Sequence, residues 1–139
     1  MIVLDTNVLS ELMHKVTDRR VVSWLDRQPR MSVWTTSITV MEIRYGIQIL
    51  PEAKRRTSLA ATFEAMLEHL VAGRVAAFDS AAAGRAGELM ASRQKKGRNV
   101  EFRNAMIGGI ILERNATLAT RNTPDFNDLA ISLINPWLD

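Results

Sequence analysis

The chain contains no cysteine. That excludes a disulfide framework and any cysteine-ligated zinc site, and it is compatible with a reducing compartment. Its two histidines, His14 and His69, stand alone with no H-E-x-x-H around them, so a paired-histidine zinc site has no basis and each reads as an ordinary surface or core residue. No G-x-G-x-x-G follows the first apolar run and no Walker sequence occurs; Gly84 and Gly87 fall inside a helical pattern. The longest uncharged apolar run, Ala105 to Leu112, is far too short to cross a bilayer. Met1–Leu4 lacks a basic leader and meets Asp5 at once, so no secretory signal and a cytoplasmic location are the expectation. No linker, repeat or low-complexity stretch interrupts the 139 residues, which reads as one domain.

What is present is an ordinary globular composition, 47% apolar and 24% charged, with a mild net charge of +3. The basic residues cluster at Arg19-Arg20, Lys54-Arg55-Arg56 and Arg93 to Arg98. Such clusters fit phosphate contacts, although any one of them reads first as a solvated helix face.

Short β-prone runs alternate with helical patterns. Met1–Leu4, Met31–Thr35, Arg74–Phe78, Thr117–Thr120 and Ala130–Ile134 read as strands. Between them lie helices over Val8–Met13, a segment capped by Asp18, Ile38–Leu50, Glu52–Leu70, an alanine-rich helix capped by Asp79 that frays in the basic loop Lys95–Arg98, and about Asn99–Arg114. This order predicts an α/β fold: a three-layer α/β/α sandwich around a mostly parallel sheet.

Polar residues interrupt this pattern in four places. The first strand ends in Asp5-Thr6-Asn7, where open parallel sheets place their ligands, although Asp5 could equally cap the helix that follows. Thr39, Glu42 and Gly46 share a stripe on an otherwise apolar helix. A glutamate there needs a cation, either an arginine or a metal. Glu101, Asn104 and Gly108 repeat the same spacing, and Asn104 in such a helix must find hydrogen bonds, as a satisfied core asparagine would. The fourth strand delivers Thr120, Arg121, Asn122 and Asp125, which turn chemistry alone also accommodates. Together these groups favour one shared site of oxygen ligands, suited to Mg²⁺ or Mn²⁺. Such an ion polarises phosphoryl oxygens and activates water, which with basic patches nearby points to phosphodiester hydrolysis. An aspartyl-phosphate phosphatase would carry a second aspartate two residues after Asp5, where this chain has Asn7.

The ordered set LDTNV, SITVMEIRYG, FRNAMIGGI, LATRNTPDF and INPW resembles the PIN-domain ribonucleases, and within them the VapC toxins of toxin–antitoxin pairs, including the FitB-like members. The resemblance implies a five-stranded parallel sheet and an Mg²⁺- or Mn²⁺-dependent endoribonuclease. It also implies a homodimer that joins a cognate antitoxin in a higher hetero-oligomer, with DNA reached only through the antitoxin and no membrane involved. By position it assigns metal ligation to Asp5 and Glu42, a third ligand position to Asn104 and a fourth to Asn122. Asp125 is a substitute or outer ligand, and Thr120 the hydroxyl that orients the site. The family carries aspartate where this chain has Asn104, which removes one negative charge and predicts weakened metal binding and reduced or lost cleavage. Glu101 is the nearest carboxylate that could compensate. Asn104 is either natural or a disarming substitution. A non-catalytic antitoxin-binding module acting in operon autoregulation is the alternative function.

Overall fold

Val3 and Leu4 are neighbours in the chain, yet each is fully buried in a different core. Side chains alternate across a strand, so this double burial means that β1 (Ile2–Leu4) is covered on both faces. Leu118 and Ala119 of β4 (Thr117–Ala119) divide in the same way. The structure is a computed structural model describing residues 1–99 and 101–139. Val100, assigned by its pattern to the apolar side of the last helix, lies outside the described residues.

Six helices and five strands make up the described chain. The first segment runs from β1 through α1 (Thr6–Leu12) and α2 (Arg19–Asp26) to β2 (Val33–Thr36). Next come α3 (Ser37–Gln48), α4 (Lys54–His69), β3 (Val75–Ala76) and α5 (Ser80–Lys95). The last segment holds α6 (Phe102–Arg114), β4 and β5 (Ser132–Ile134). All strand pairs are parallel, in the order β3-β2-β1-β4-β5. One core joins the sheet to α1–α4 through Val8, Trp24, Ile43 and Phe63; the other joins it to α5 and α6 through Ala82, Ile107 and Ile110. The expected three-layer α/β/α sandwich is what forms.

The strand order places the site. From β1 the chain moves outward to β2 and β3 on one side, whereas β4 leads to β5 on the other. The crevice between the carboxyl ends of β1 and β4 is therefore a topological switch point, where neither connection covers the strand ends. Register Leu4↔Ala119 brings Asp5 and Thr120 side by side at its floor.

Local chemistry sets the element ends. Thr36, Asp18 and Asp79 cap α3, α2 and α5 by accepting from the backbone N–H of Thr39, Arg20 and Ala82. Several expected bounds shift for visible reasons. Strand β3 keeps only two residues, because the Phe78 N–H is taken by Ser37 Oγ at 3.0 Å instead of a neighbouring strand. The end of α5 does not fray. Gly97 sits at φ +70°, and the N–H groups of Arg98 and Gly97 return to the carbonyls of Arg93 and Gln94 at 2.9 and 3.0 Å, a Schellman closure. Helix α6 begins at Phe102 and not near Asn99, since Glu101 is extended at φ −112°, ψ 112°. Helix α3 is also wetter than its composition suggests: Met41, Tyr45 and Ile49 are 56%, 66% and 64% exposed and form one row along its outer face.

Candidate metal centre

Of the two roles open to it in the sequence, Asp5 displays the helix cap directly. Its Oδ1 accepts from the backbone N–H of Thr6 at 2.8 Å, which caps α1. The same oxygen accepts from Arg103 Nη2 at 2.8 Å. Its Oδ2 accepts from Thr120 Oγ1 at 2.8 Å and, more weakly, from Asn7 Nδ2 at 3.5 Å. The residue is 1% exposed, so these donors replace the water a carboxylate would otherwise require.

Thr120 is fully buried and uses its hydroxyl completely. It donates to Asp5 and accepts from Asn7 Nδ2 and the Asn122 N–H, both at 3.1 Å. Asn7 Oδ1 in turn accepts from the Arg121 N–H at 3.0 Å. The loop after β4 is thereby tied to the first turn of α1, and Asn122 is held at the crevice by its backbone while its side chain stays exposed.

Glu42 reaches the same crevice from α3. Its Oε1 accepts from Thr6 Oγ1 at 2.8 Å, and Thr6 Oγ1 lies 3.1 Å from Thr39 Oγ1. Thr39 thus backs the glutamate one turn away, as the shared stripe predicts. Gly46, the third member, has open space where a Cβ would sit and packs against nothing. Gly108 does serve packing, with Leu89 and Leu129 side chains 2.9 and 3.0 Å from an added Cβ.

The cation that Glu42 requires is Arg103. Its Nε donates to Glu42 Oε2 at 2.7 Å and its Nη2 to Asp5 Oδ1 at 2.8 Å. Nη1 donates to Asn104 Oδ1 at 3.2 Å, and Nη2 also meets Thr6 Oγ1 at 3.3 Å. Burial alone would lower the Arg103 pKa, but its hydrogen bonds and charge interactions with Glu42 and Asp5 outweigh burial and raise it above the ordinary arginine value. Sequence reasoning asked for a cation and did not identify this one. The available signal was its position beside Asn104 at the start of α6, which faces the crevice.

Asn104 is 3% exposed and its Oδ1 accepts from Arg103, the side chain that also binds the acidic pair. Glu101 and Asp125 do not reach the pair through hydrogen bonds; they line the open cavity of about 540 Å³ in front of it, with Asn7, Glu11, His14 and Asn122. Arg121 and Trp137 close one side of this cavity, the guanidinium lying 4.8 Å from the ring centroid. His14, unremarkable in the sequence, is a wall residue here and pairs with Glu11 at 3.2 Å.

The residues present suit a hard divalent cation. The acceptor atoms gathered around Arg103 are all oxygens, and Asp5 Oδ1 and Glu42 Oε2 lie close enough to be held by two nitrogens of one planar guanidinium. Among the described residues no group of three His, Cys, Asp or Glu side chains gathers at one point, so only two carboxylates supply charge.

Comparison with known proteins accords with this arrangement. Residues 2–131 match the PIN domain family. The chain is 36% identical over 137 residues to "VapC ribonuclease Y4jK" of Sinorhizobium fredii, covering 99% of this chain and 98% of that one. It is 32% identical over 139 residues to "Toxin FitB" of Neisseria gonorrhoeae, covering all of both. Among solved structures, "Structure of FitAB bound to IR36 DNA fragment" contains a chain superposing with a TM-score of 0.89 at 32% identity, covering 99% of this chain and 96% of that one. With fold, matched span and these relatives in agreement, this chain belongs to the PIN-domain family, in the branch that holds the VapC ribonucleases and toxin FitB.

Proposed function

We propose that this chain is the toxin of a toxin–antitoxin pair and is built as an Mg²⁺- or Mn²⁺-dependent endoribonuclease. Its activity is reduced or lost through Asn104. The observation that carries the reading is the convergence of Asp5 and Glu42 on the single guanidinium of Arg103 at the switch point of the sheet. Asp5 and Glu42 are the anionic ligands, with Asn104 Oδ1 and Asn122 as neutral oxygen donors and Asp125 an outer carboxylate at the cavity wall. When bound, a divalent ion supplies activated water and stabilises charge on the phosphoryl oxygens. Thr120 fixes the Asp5 carboxylate, and Asn7 fixes Thr120. Arg121, held 4.8 Å from the Trp137 ring centroid at the cavity wall, offers a cation to an RNA phosphate.

The partner expected is an antitoxin, with DNA met through it. A chain of the FitAB structure bound to a DNA fragment superposes closely on this one, and among the described residues no helix is long and apolar enough to cross a membrane. A homodimer within a larger hetero-oligomer, working in the cytoplasm, completes the reading. The exposed row Met41, Tyr45 and Ile49 is apolar surface that such an assembly would cover.

The test is cleavage of a panel of structured RNAs by this chain and by Asn104→Asp, each with Mg²⁺, Mn²⁺ or EDTA. Metal-dependent cleavage by Asn104→Asp that vanishes when Asp5→Asn is added supports the reading. Inert Asn104→Asp protein on every RNA, combined with antitoxin binding by the unaltered chain, would favour the non-catalytic module.

A further inference from the structure

Arg103 touches the acidic pair more completely than any other side chain. One guanidinium donates to Asp5 Oδ1, Glu42 Oε2 and Asn104 Oδ1, with Thr6 Oγ1 as a fourth contact. Three of these four oxygens belong to residues placed as metal ligands. Asp5 Oδ1 already accepts two hydrogen bonds, from the Thr6 N–H and from Arg103, so a divalent ion must contend with the guanidinium for it, and two cations held by the same carboxylates repel strongly in a partly buried site.

The charge balance sharpens the conflict. Asp5 and Glu42 contribute two negative charges, and Arg103 offsets one of them within the fold. Asn104 adds none. An arriving divalent ion therefore meets a pair already half neutralised and already hydrogen-bonded.

We propose that Arg103 is the resident cation of this centre and competes with the divalent metal for it, so that this side chain sets the metal affinity. Arg103 leaves the pair when metal binds and returns when metal is lost. The displaced guanidinium has somewhere to go: its side chain is 27% exposed at the edge of the open cavity, whose wall carries the carboxylates of Glu101 and Asp125. The inference rests on the metal-centre reading above and adds to it that the competitor is intramolecular.

The experiment is Mn²⁺ binding by calorimetry and by loss of the free-ion EPR signal. It uses the full chain, Arg103→Gln, Arg103→Lys and Asn104→Asp. Arg103→Gln is expected to bind Mn²⁺ about fivefold or more tightly than the unaltered chain, with Arg103→Lys between them. Equal or weaker binding by a folded Arg103→Gln overturns the proposal. Removing Arg103 also leaves Asp5 and Glu42 without a counter-ion in EDTA, so Mn²⁺ should raise the Tm of Arg103→Gln more than that of the unaltered chain; an equal rise contradicts the competition.

A second measurement needs no variant. The Arg103 Nε–H resonance should be protected in EDTA by its bond to Glu42 and lose that protection at saturating Mg²⁺; a resonance that stays protected overturns the proposal. If none of the four proteins binds Mn²⁺, the metal-centre reading fails as well. Binding that is equal with and without Arg103 sinks only the competition.

Discussion

Asp5 is buried, and each of its oxygens has assigned donors, so its neighbours are as necessary to it as its own charge. Thr120→Val keeps the shape of the side chain but removes the hydroxyl that donates to Asp5 and accepts from Asn7 and Asn122. We expect a loss of about 1–3 kcal/mol in urea unfolding, the cost of leaving buried polar atoms unpaired. Asn104→Asp acts in the opposite sense on function. A third carboxylate at the crevice should raise metal-dependent RNA cleavage by more than about tenfold, in line with the weight of groups around metal sites. Arg103 shows why a single residue can escape a sequence reading. It sits between exposed Phe102 and buried Asn104, and its type alone reads as one more surface base in a basic chain. The need for a counter-ion was legible from Glu42 on an apolar helix, but which arginine supplies it depends on a contact 61 residues away in the chain.

Helix α6 carries Asn104 and Arg103, and its seat on α5 is correspondingly tight. A Cβ at Gly109 would lie 2.5 Å from the Ala82 carbonyl oxygen and 2.9 Å from the Ala86 nitrogen, both backbone atoms that cannot turn aside. Gly109→Ala should therefore push the helices apart and cost about 1–3 kcal/mol, read as a lower Tm. A second tie joins α5 to the loop beyond Asn122. Arg93 donates to both oxygens of Asp128 at 3.1 and 3.0 Å and to the Asp125 carbonyl at 2.7 Å, with the paired side chains only 8% and 13% exposed. Burial alone would raise the Asp128 pKa, but hydrogen bonds from Arg93 and the charges of Arg93 and Arg98 hold it below the ordinary carboxylate value. A folded pKa depressed in this way contributes stability that is present above the unfolded value of 3.8 and lost as pH falls through the folded one. Arg93→Ala should reduce that acid dependence, leaving the part due to Arg98, and destabilise the fold by about 3 kcal/mol, which unfolding curves between neutral and acid pH would show. Neither effect was legible in the sequence, where Arg93 opens a run of bases. By contrast, the capping residues Asp18 and Asp79 were readable directly, because cap chemistry is local.

Over the whole molecule, the alternation of strands and helices was enough to read the layers, and the polar strand ends were enough to read the crevice. The short extent of β3 and the outer row of α3 were not readable, since one depends on Ser37 intercepting a backbone donor and the other on which helix face lacks a neighbour. The net charge of +3 is too small to steer RNA by itself, so single well-placed cations should matter. Arg121→Gln is expected to weaken single-stranded RNA binding and to reduce the slope of log affinity against log salt by about 0.7, one phosphate contact. At the centre of the molecule stands one claim, that the switch point of this sheet is a hard-cation site built on Asp5 and Glu42. Anomalous diffraction from crystals grown with Mn²⁺, for this chain and for Asn104→Asp, addresses it directly. The expected result is a manganese peak bound by both carboxylates, with Arg103 moved off the pair and the stronger peak in Asn104→Asp. Peaks elsewhere only, or none in either protein with Arg103 still bridging Asp5 and Glu42, would contradict it.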